Sequence, residues 1–539
     1  MAGELRQTRR FRNVRAQIAA LLCALSCLHC ASTLQSPATG GRTWYEARSE
    51  HFLIQTDRGA DAATELSSQY ERIVAFFSKV AFRANRQPAG LTRVVVFANK
   101  ADYVHLAPPY SEGFFRRSGG APYDPHPTMA MAGDGGNRSL LSVFCHELTH
   151  RFIAFHFPTA PIWVNEGLAS YFETLRIEGD KALVGLVSPE RLHIGNPQKQ
   201  TESQGWFLLT AAGPRALHWL PPSDQIRAMS IAEFYARAIG DPEQAQTAMQ
   251  MNYIGAWAQI HPLMLGPEDL QARFMRYLNE LAAGHRDAWQ RNFDAKAEKE
   301  LEFQYRDLVT RPLTRSGELP APAVSVDATQ VRVMDPSEVH WLWAALRSWD
   351  ATSDRQRALQ DIDEAIRLAP ERAEGHLLRS ALFAREEQPL VQRSEIELAL
   401  SRAPKDANAL ALKVNLLLDE QRNKPVTEIN FTEVEPLIQR LEPIANSSPQ
   451  WLTVARYREL KGRLDDALRC ALRSLRDSSC WTCHWAVGDI QLHRNQVERA
   501  AHSLRTAVNL AGENAPPALR EQLEAVLARG ECQTTPSGC

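Results

Sequence analysis

The sequence lacks an excess of charge of either sign. Its 61 Lys and Arg residues are balanced by 63 Asp and Glu residues, which leaves a net charge of −2 over 539 residues. A protein that binds nucleic acid needs a concentrated field of Lys and Arg to neutralise phosphates. No such field is evident in the sequence, so we expect no nucleic-acid partner. The hydrophobic content of 44% is that of an ordinary globular protein.

The N-terminal region lacks a hydrophobic run long enough to span a bilayer. Its apolar stretch, residues 18–28, is too short to cross about 30 Å of hydrocarbon. Because a cluster of arginines that includes Arg9, Arg10, Arg12 and Arg15 precedes this stretch and small residues end it, residues 1–31 are predicted to be a secretory signal peptide. Residues 32–42, rich in Ser, Thr, Gly and Pro, then form a tether. We expect an exported protein that is periplasmic or associated with the cell envelope.

Cysteine is scarce beyond the signal segment, which holds three of the nine. Two of these, Cys27 and Cys30, lie near the cleavage region and suggest lipidation as an alternative, although neither follows a well-formed Leu-small-small stretch. We expect that any attachment to a membrane is by lipidation alone. Cys480 and Cys483 form a CxxC pair without the strand-to-helix context of a thioredoxin unit, so a structural disulfide or two buried thiols is expected.

The middle of the sequence contains the motif HELTH, His146 to His150. On a helix, residues four apart share a face, so His146 and His150 can present two imidazole nitrogens to one metal ion. Glu147 then lies beside the metal, placed to take a proton from a water whose pKa zinc lowers to about 7. The motif therefore predicts Zn²⁺ as cofactor and Glu147 as the catalytic base.

Two residues are candidates for a third ligand. His156 has the spacing of the pattern HExxHxxGxxH, but Ile153 stands where that pattern has the glycine that turns the chain back. On an unbroken helix His156 points away from the metal. Glu166 opens a second helix after Pro158 and Pro161, and a short antiparallel return would bring its carboxylate to the open side of the metal. We predict Glu166 as the third ligand.

HELTH followed by WVNEGLASYFE, Trp163 to Glu173, resembles the gluzincin-type bacterial metallopeptidase-like domains. The resemblance covers residues 43–310 and implies an α+β zincin-like metallopeptidase domain. It implies that His146, His150 and Glu166 bind zinc and that Glu147 is the base. The interval between the second histidine and Glu166 is shorter than in the best known gluzincins.

Three other expectations depend on this resemblance. Ser170 stands where relatives often carry an acidic residue that orients a ligand histidine, which predicts weaker support of the metal. Tyr253 is a candidate catalytic residue that would stabilise an oxyanion, with surface packing as the alternative, and His261 is a weaker candidate. The strand predicted at residues 128–132 is expected to be an exposed edge that pairs with an extended peptide.

The C-terminal region repeats. A pattern of small and apolar residues ending in Ala-Pro recurs 34 residues apart, at Pro370 and Pro404. A 34-residue helix-turn-helix period of this kind is the tetratricopeptide (TPR) signature. Residues 337–530 are thus predicted to form an all-α tetratricopeptide solenoid of four to five repeats with an insertion at residues 425–443. Residues 311–336 are predicted as a linker and residues 531–539 as a tail.

The sequence therefore predicts an exported zinc metallopeptidase that hydrolyses a peptide or protein substrate, with a TPR groove that binds a protein partner or the substrate. One alternative is a non-catalytic scaffold protein with a structural or silent zinc domain. Another is a metal-dependent hydrolase of a non-peptide amide such as cell-wall material. Endopeptidase and exopeptidase action are not distinguished by the sequence.

Overall fold

The computed structural model describes a defined part of the chain. The described residues are 34–82, 87–88, 90–108, 111–116, 126–133, 140–157, 159–186, 220–237, 239–283, 285, 287–310, 316–324, 329–348, 355–421, 424–475, 480–511 and 515–534. The predicted signal peptide lies outside these ranges.

The strands of the described residues form two sheets. They are β1 Tyr45–Arg48, β2 Phe52–Thr56, β3 Thr92–Phe97, β4 Gly113–Arg116, β5 Thr128–Ala132, β6 Arg176–Glu178, β7 Lys181–Val184, β8 Gly317–Pro320 and β9 Gln330–Val333. The larger sheet has the order β4-β5-β3-β2-β1-β9, and the smaller has the order β6-β7-β8. β2, β3 and β5 run parallel, whereas β4, β1 and β9 pair antiparallel with their neighbours.

The helices of the first part of the chain pack on the larger sheet or on one another. They are α1 Ala60–Phe76, α2 Lys100–Tyr103, α3 Leu140–His156, α4 Ile162–Phe172, α5 Ser223–Ala228, α6 Ile231–Phe234, α7 Pro242–Leu265, α8 Glu268–Ala282, α9 Ala288–Asn292 and α10 Ala295–Thr310. On one face of the sheet, α1 and α3 meet through stacked rings of Tyr70 and Phe144, whose centroids are 3.5 Å apart. Strand β5 leads to α3, so the sheet positions the HELTH helix.

The helices of the second part form an array of consecutive pairs. They are α11 Pro336–Arg347, α12 Arg355–Leu368, α13 Glu374–Arg385, α14 Pro389–Arg402, α15 Ala407–Asp419, α16 Val434–Leu441, α17 Ser448–Leu460, α18 Leu464–Ser474, α19 Trp481–His493, α20 Val497–Ala511 and α21 Pro517–Thr534. Each odd-numbered helix from α11 to α19 packs on the even-numbered helix after it, and α21 packs on α20. The region is a helical, TPR-like solenoid. Among the described residues, no helix is both long and apolar enough to cross a membrane.

The central strands are buried on both faces. In β3, Val94 and Val96 join the core under α1 and α3, whereas Val95 and Phe97 join a second core with residues of α11. Alternate residues of a strand point to opposite faces, so both sets must be covered. This requirement explains why β3 is apolar almost throughout.

Helix α11 begins the helical array and also covers the second face of the sheet. Leu342 and Trp343 are buried there, and the ring of Trp343 lies 6.3 Å from that of Trp44 in an edge-to-face arrangement. Arg347 of α11 donates to the backbone oxygen of His105. The array therefore shares a core with the sheet domain.

The prediction of a linker at residues 311–336 is wrong for its described part. Strand β8 pairs with β7, and β9 pairs with β1 at the edge of the larger sheet. Their partners lie more than a hundred residues earlier in the chain, which a local pattern cannot show. The segment predicted as an insertion at residues 425–443 contains α16, which packs on α15 as the second helix of its pair.

The expectation that residues 128–132 form an exposed edge is also wrong. Strand β5 has β3 on one side and β4 on the other, so its backbone is paired on both sides. Within the described residues, the edge strand at this end of the sheet is β4. It lies in an aromatic, Gly- and Pro-rich part of the sequence, residues 101–128.

The shared core predicts that damage to α11 destabilises the sheet. Trp343 is 2% exposed, and replacing such a residue by alanine removes about 3–5 kcal/mol of packing and transfer free energy. We expect Trp343→Ala to lower the calorimetric melting temperature of the sheet domain by about 6 °C or more. Leu390→Ala is the control, because Leu390 is 82% exposed. Equal melting temperatures for the two variants would contradict a shared core.

Candidate metal centre

Helix α3 places both motif histidines on one face. His146 and His150 are four residues apart, and their ring centroids are 4.8 Å apart. His146 is 4% exposed, so its imidazole lies within the protein and not at the surface. The next described helix in the chain is α4, which packs on α3.

Helix α4 brings the carboxylate of Glu166 to both imidazoles. Its Oε2 atom lies 3.4 Å from Nε2 of His146 and 3.6 Å from Nε2 of His150. Glu166 is 2% exposed. Burial would raise the pKa of Glu166, but the charge of His150 and the contacts with His146 and Tyr235 lower it to about 2. Glu166 is therefore a buried carboxylate at neutral pH.

The three side chains fit a zinc ion. Their ligand atoms all lie within 4.8 Å of one another. Ligand atoms at about 2.0–2.1 Å from a tetrahedral zinc are roughly 3.4 Å apart, which agrees with the two measured distances. Oε2 of Glu166 is buried and accepts no hydrogen bond among the described residues. A buried acceptor facing two imidazole nitrogens is suited to a cation, and zinc ligation itself stays a prediction.

A helix crossing holds Glu166 in place. α7 packs against α4, and a Cβ atom at Gly167 would lie 2.8 Å from the backbone oxygen of Ala256 in α7. A side chain at position 167 would push the two helices apart. The glycine after Glu166 therefore permits the close packing that fixes the carboxylate.

Both histidines are oriented through their second ring nitrogens. Nδ1 of His146 lies 3.0 Å from Oε2 of Glu173, and Nδ1 of His150 lies 3.0 Å from Oδ1 of Asn165. An oxygen acceptor at Nδ1 leaves Nε2 available as a metal ligand. Sequence reasoning missed both partners. The signal that could have identified them is their spacing from Glu166, since Asn165 adjoins it and Glu173, the residue after α4, lies about two turns further on.

The structure gives His146 a carboxylate partner other than residue 170, so weaker support of the metal does not follow from the serine. The oxygen of Ser170 is buried and makes no hydrogen bond among the described residues, so it does not orient His146. Glu173, 1% exposed, supplies the carboxylate instead.

A tyrosine that the sequence did not single out touches the site. The hydroxyl of Tyr235, just after α6, donates to Oε1 of Glu166 at 2.5 Å. Burial, and then the negative charge of Glu166, raise the pKa of Tyr235. Its hydroxyl therefore stays protonated and holds one carboxylate oxygen, while the other faces the histidines.

Tyr253 and His261 have different surroundings. The ring of Tyr253 lies 6.1 Å from that of His146 and 6.5 Å from that of Tyr235, so the predicted residue borders the site. Its catalytic role stays a prediction. His261 is 5% exposed, and its ring lies 5.4 Å from that of Trp257.

His156, the alternative candidate for the third ligand, lies in an aromatic cluster. The ring of His156 stacks on Phe82 at 5.7 Å and on Phe152 at 6.1 Å. Burial lowers the pKa of His156 to about 4, so the ring is neutral at pH 7. The structure does not bring His156 to the group formed by His146, His150 and Glu166.

Edge strand β4 lies against the glutamate of the motif. Glu147 is 6% exposed. A Cβ atom at Gly113 would lie 3.3 Å from Oε1 of Glu147 and only 2.4 Å from a methyl carbon of Val143. The strand can approach the HELTH helix this closely because residue 113 has no side chain.

The chain matches no known protein-family model and no curated protein. Part of the chain is similar to several solved structures, among them the following three. A thermophilic TPR protein of Thermus thermophilus is 14% identical with a TM-score of 0.28, over 36% of this chain and 97% of that one. YrrB, a TPR protein with an unusual peptide-binding site, is 17% identical with a TM-score of 0.25, over 34% and 90%. PilF of Pseudomonas aeruginosa is 14% identical with a TM-score of 0.26, over 38% and 93%.

The contacts of His146 predict separate effects of Glu173 and Ser170 on metal affinity. Glu173→Gln keeps the shape of the side chain but removes its negative charge, so we expect zinc affinity to fall about 10-fold or more. Ser170→Ala should leave affinity unchanged. Competition with a coloured chelator measures both values. Equal affinities for the two variants would show that Glu173 does not support the metal site.

Proposed function

We propose that this protein is a zinc-dependent metallopeptidase. His146, His150 and Glu166 would hold the ion through Nε2, Nε2 and Oε2. When bound, zinc supplies Lewis-acid chemistry, polarising a carbonyl and lowering the pKa of a water molecule. The observation that carries the proposal is the convergence of two imidazole nitrogens on a buried carboxylate oxygen that has no other partner among the described residues.

Glu147 is the proposed general base and acid. It follows His146 on α3 and is buried beside β4. Its carboxylate would accept a proton from the attacking water and pass that proton to the leaving amine. Burial supports this role, because the carboxylate is shielded from bulk water that would compete for the proton.

Two tyrosines are proposed to serve the same centre in different ways. Tyr235 holds Oε1 of Glu166 and thereby directs Oε2 to the histidines, so it is a positioning residue. Tyr253 borders His146 and is the proposed donor to the oxyanion that forms when a carbonyl is attacked.

The substrate is proposed to bind along β4. Within the described residues β4 is an end strand with one paired side, and Gly113 lies against Glu147. An extended peptide can add to such an edge through main-chain hydrogen bonds, which would hold a scissile bond beside the base. This placement favours peptides over compact non-peptide amides such as cell-wall material.

The helical array is proposed to bind a protein partner or the substrate protein. In the described residues α11 contacts α13, α15 contacts α17, and α17 contacts α19, so several first helices of successive pairs adjoin one another. Because α11 is part of the sheet core, a partner held by the array would be fixed relative to the peptidase domain. Export to the periplasm or cell envelope is the proposed location, with lipidation as the proposed means of any membrane attachment.

Removal of the base tests the proposed activity. We expect Glu147→Gln to bind zinc as the wild type does and to lose hydrolysis of a mixed peptide library by several orders of magnitude, because the amide cannot accept the proton. Mass spectrometry of the digested library and elemental analysis of the protein measure the two properties. Wild-type hydrolysis should also stop on addition of a chelator and return with zinc.

The alternative of a non-catalytic scaffold makes a different prediction for the same samples. A silent zinc domain would bind metal without hydrolysing any member of the library, in the wild type as in Glu147→Gln. Hydrolysis that is equal in the two proteins would point to a contaminating peptidase and contradict the assigned base. The exposed substitution Leu390→Ala is the matched control and should hydrolyse at the wild-type rate.

A further inference from the structure

A disulfide joins Cys480 to Cys483 at the start of helix α19. Cys480 is the residue before the first turn of the helix, and Cys483 lies within that turn. The two cysteines are only three residues apart in the chain. The stabilisation that a cross-link gives to a fold decreases as the closed loop shortens. This disulfide joins no distant segments of the chain, so we expect it to contribute little to the stability of the fold.

The two cysteines differ in their exposure to solvent. Cys483 is 0% exposed, whereas Cys480 is partly exposed. Thiol–disulfide exchange requires a thiolate to reach one sulfur of the bond. Cys480 is the more exposed residue, so its sulfur is the expected point of attack, and the buried Cys483 is the leaving group.

Two donors at the start of helix α19 contact the sulfur of Cys480. The backbone N–H of Cys483 donates to Sγ of Cys480 at 3.1 Å, and Oγ1 of Thr482 lies 3.1 Å from the same sulfur. Donors and the positive end of a helix stabilise a thiolate. Sγ of Cys483 lies 3.9 Å from the backbone oxygen of Ser474, which can accept an S–H after reduction.

The burial of Cys483 argues against a second function of the motif, the attachment of haem. With His484 the segment has the spacing CxxCH, at which c-type haem is attached. Haem attachment requires both sulfurs to reach the edge of one porphyrin. Cys483 has no exposed surface, so the folded helix does not offer that arrangement.

We propose that Cys480 and Cys483 are a reversible redox site that exchanges with dithiols. A thiolate of the incoming dithiol attacks Sγ of Cys480, which breaks the Cys480–Cys483 bond and forms a mixed disulfide. Cys483 leaves as a thiolate and takes up a proton. The second thiol of the dithiol then attacks the mixed disulfide, releasing Cys480 as a thiolate and leaving the partner as a disulfide. The protein gains two electrons, which the dithiol loses.

Reduction of the native protein is the first test, with dithiothreitol as the dithiol. The mature full chain is reduced without denaturant, quenched with acid, alkylated and digested with trypsin. The peptide of residues 477–494 contains only these two cysteines. We expect full reduction, reversed by glutathione disulfide, with an unchanged helical circular dichroism spectrum. A pair that is reduced only after denaturant unfolds the array would overturn the proposal.

The buried thiols of the same chain are the internal control. Cys145 and Cys470 are free and buried, and burial raises the pKa of each thiol. Both should resist alkylation in the native protein throughout the first test. Their alkylation at the same rate as Cys480 would mean that the chain opens, and would overturn exchange at a folded site.

Single variants test which sulfur is attacked. In Cys483→Ser, glutathione disulfide should form a mixed disulfide at Cys480, and this reaction should be on the order of tenfold or more faster than the reaction at Cys483 in Cys480→Ser. Mass spectrometry of the same tryptic peptide follows both rates. Equal rates, or a faster reaction at Cys483, would contradict the assigned order of attack.

Discussion

The close approach of α3 and α4 is the constraint on which the rest of this protein depends. It brings one carboxylate oxygen of Glu166 within 3.6 Å of an imidazole nitrogen on each motif histidine. A buried carboxylate is costly unless positive charge or donors surround it. Tyr235 satisfies one oxygen of Glu166, and the proposed zinc ion would satisfy the other. The helices that hold these residues are in turn held by the sheet and by α7.

The same packing connects the centre to the helical array. The parallel strands β2, β3 and β5 must be covered on both faces. One face packs on α1 and α3, which carries the histidines. The other packs on α11, the first helix of the array. The two parts of the chain are therefore mechanically joined, and a partner bound by the array would lie at a fixed place relative to the proposed active site.

The sequence predicted the features that depend on local spacing. The HELTH helix, the helix of Glu166 and the 34-residue repeat follow from helical periodicity. The features that it missed depend on distant pairing. β9 pairs with β1 although most of the sheet domain lies between them in the sequence. Tyr235 contacts Glu166, which is 69 residues earlier in the sequence. Glu173 was overlooked because a serine at position 170 suggested that the acidic partner of His146 was absent, although Glu173, the residue after α4, is that partner.

The most direct test of the metal centre is the zinc content per chain of the purified protein starting at Thr43, measured beside Glu166→Ala and His156→Ala. The account predicts about one zinc in the wild type and in His156→Ala, and none or little in Glu166→Ala, because only Glu166 completes the ligand set. Zinc that is lost in His156→Ala and kept in Glu166→Ala would contradict it, as would a wild type that binds no zinc after reconstitution.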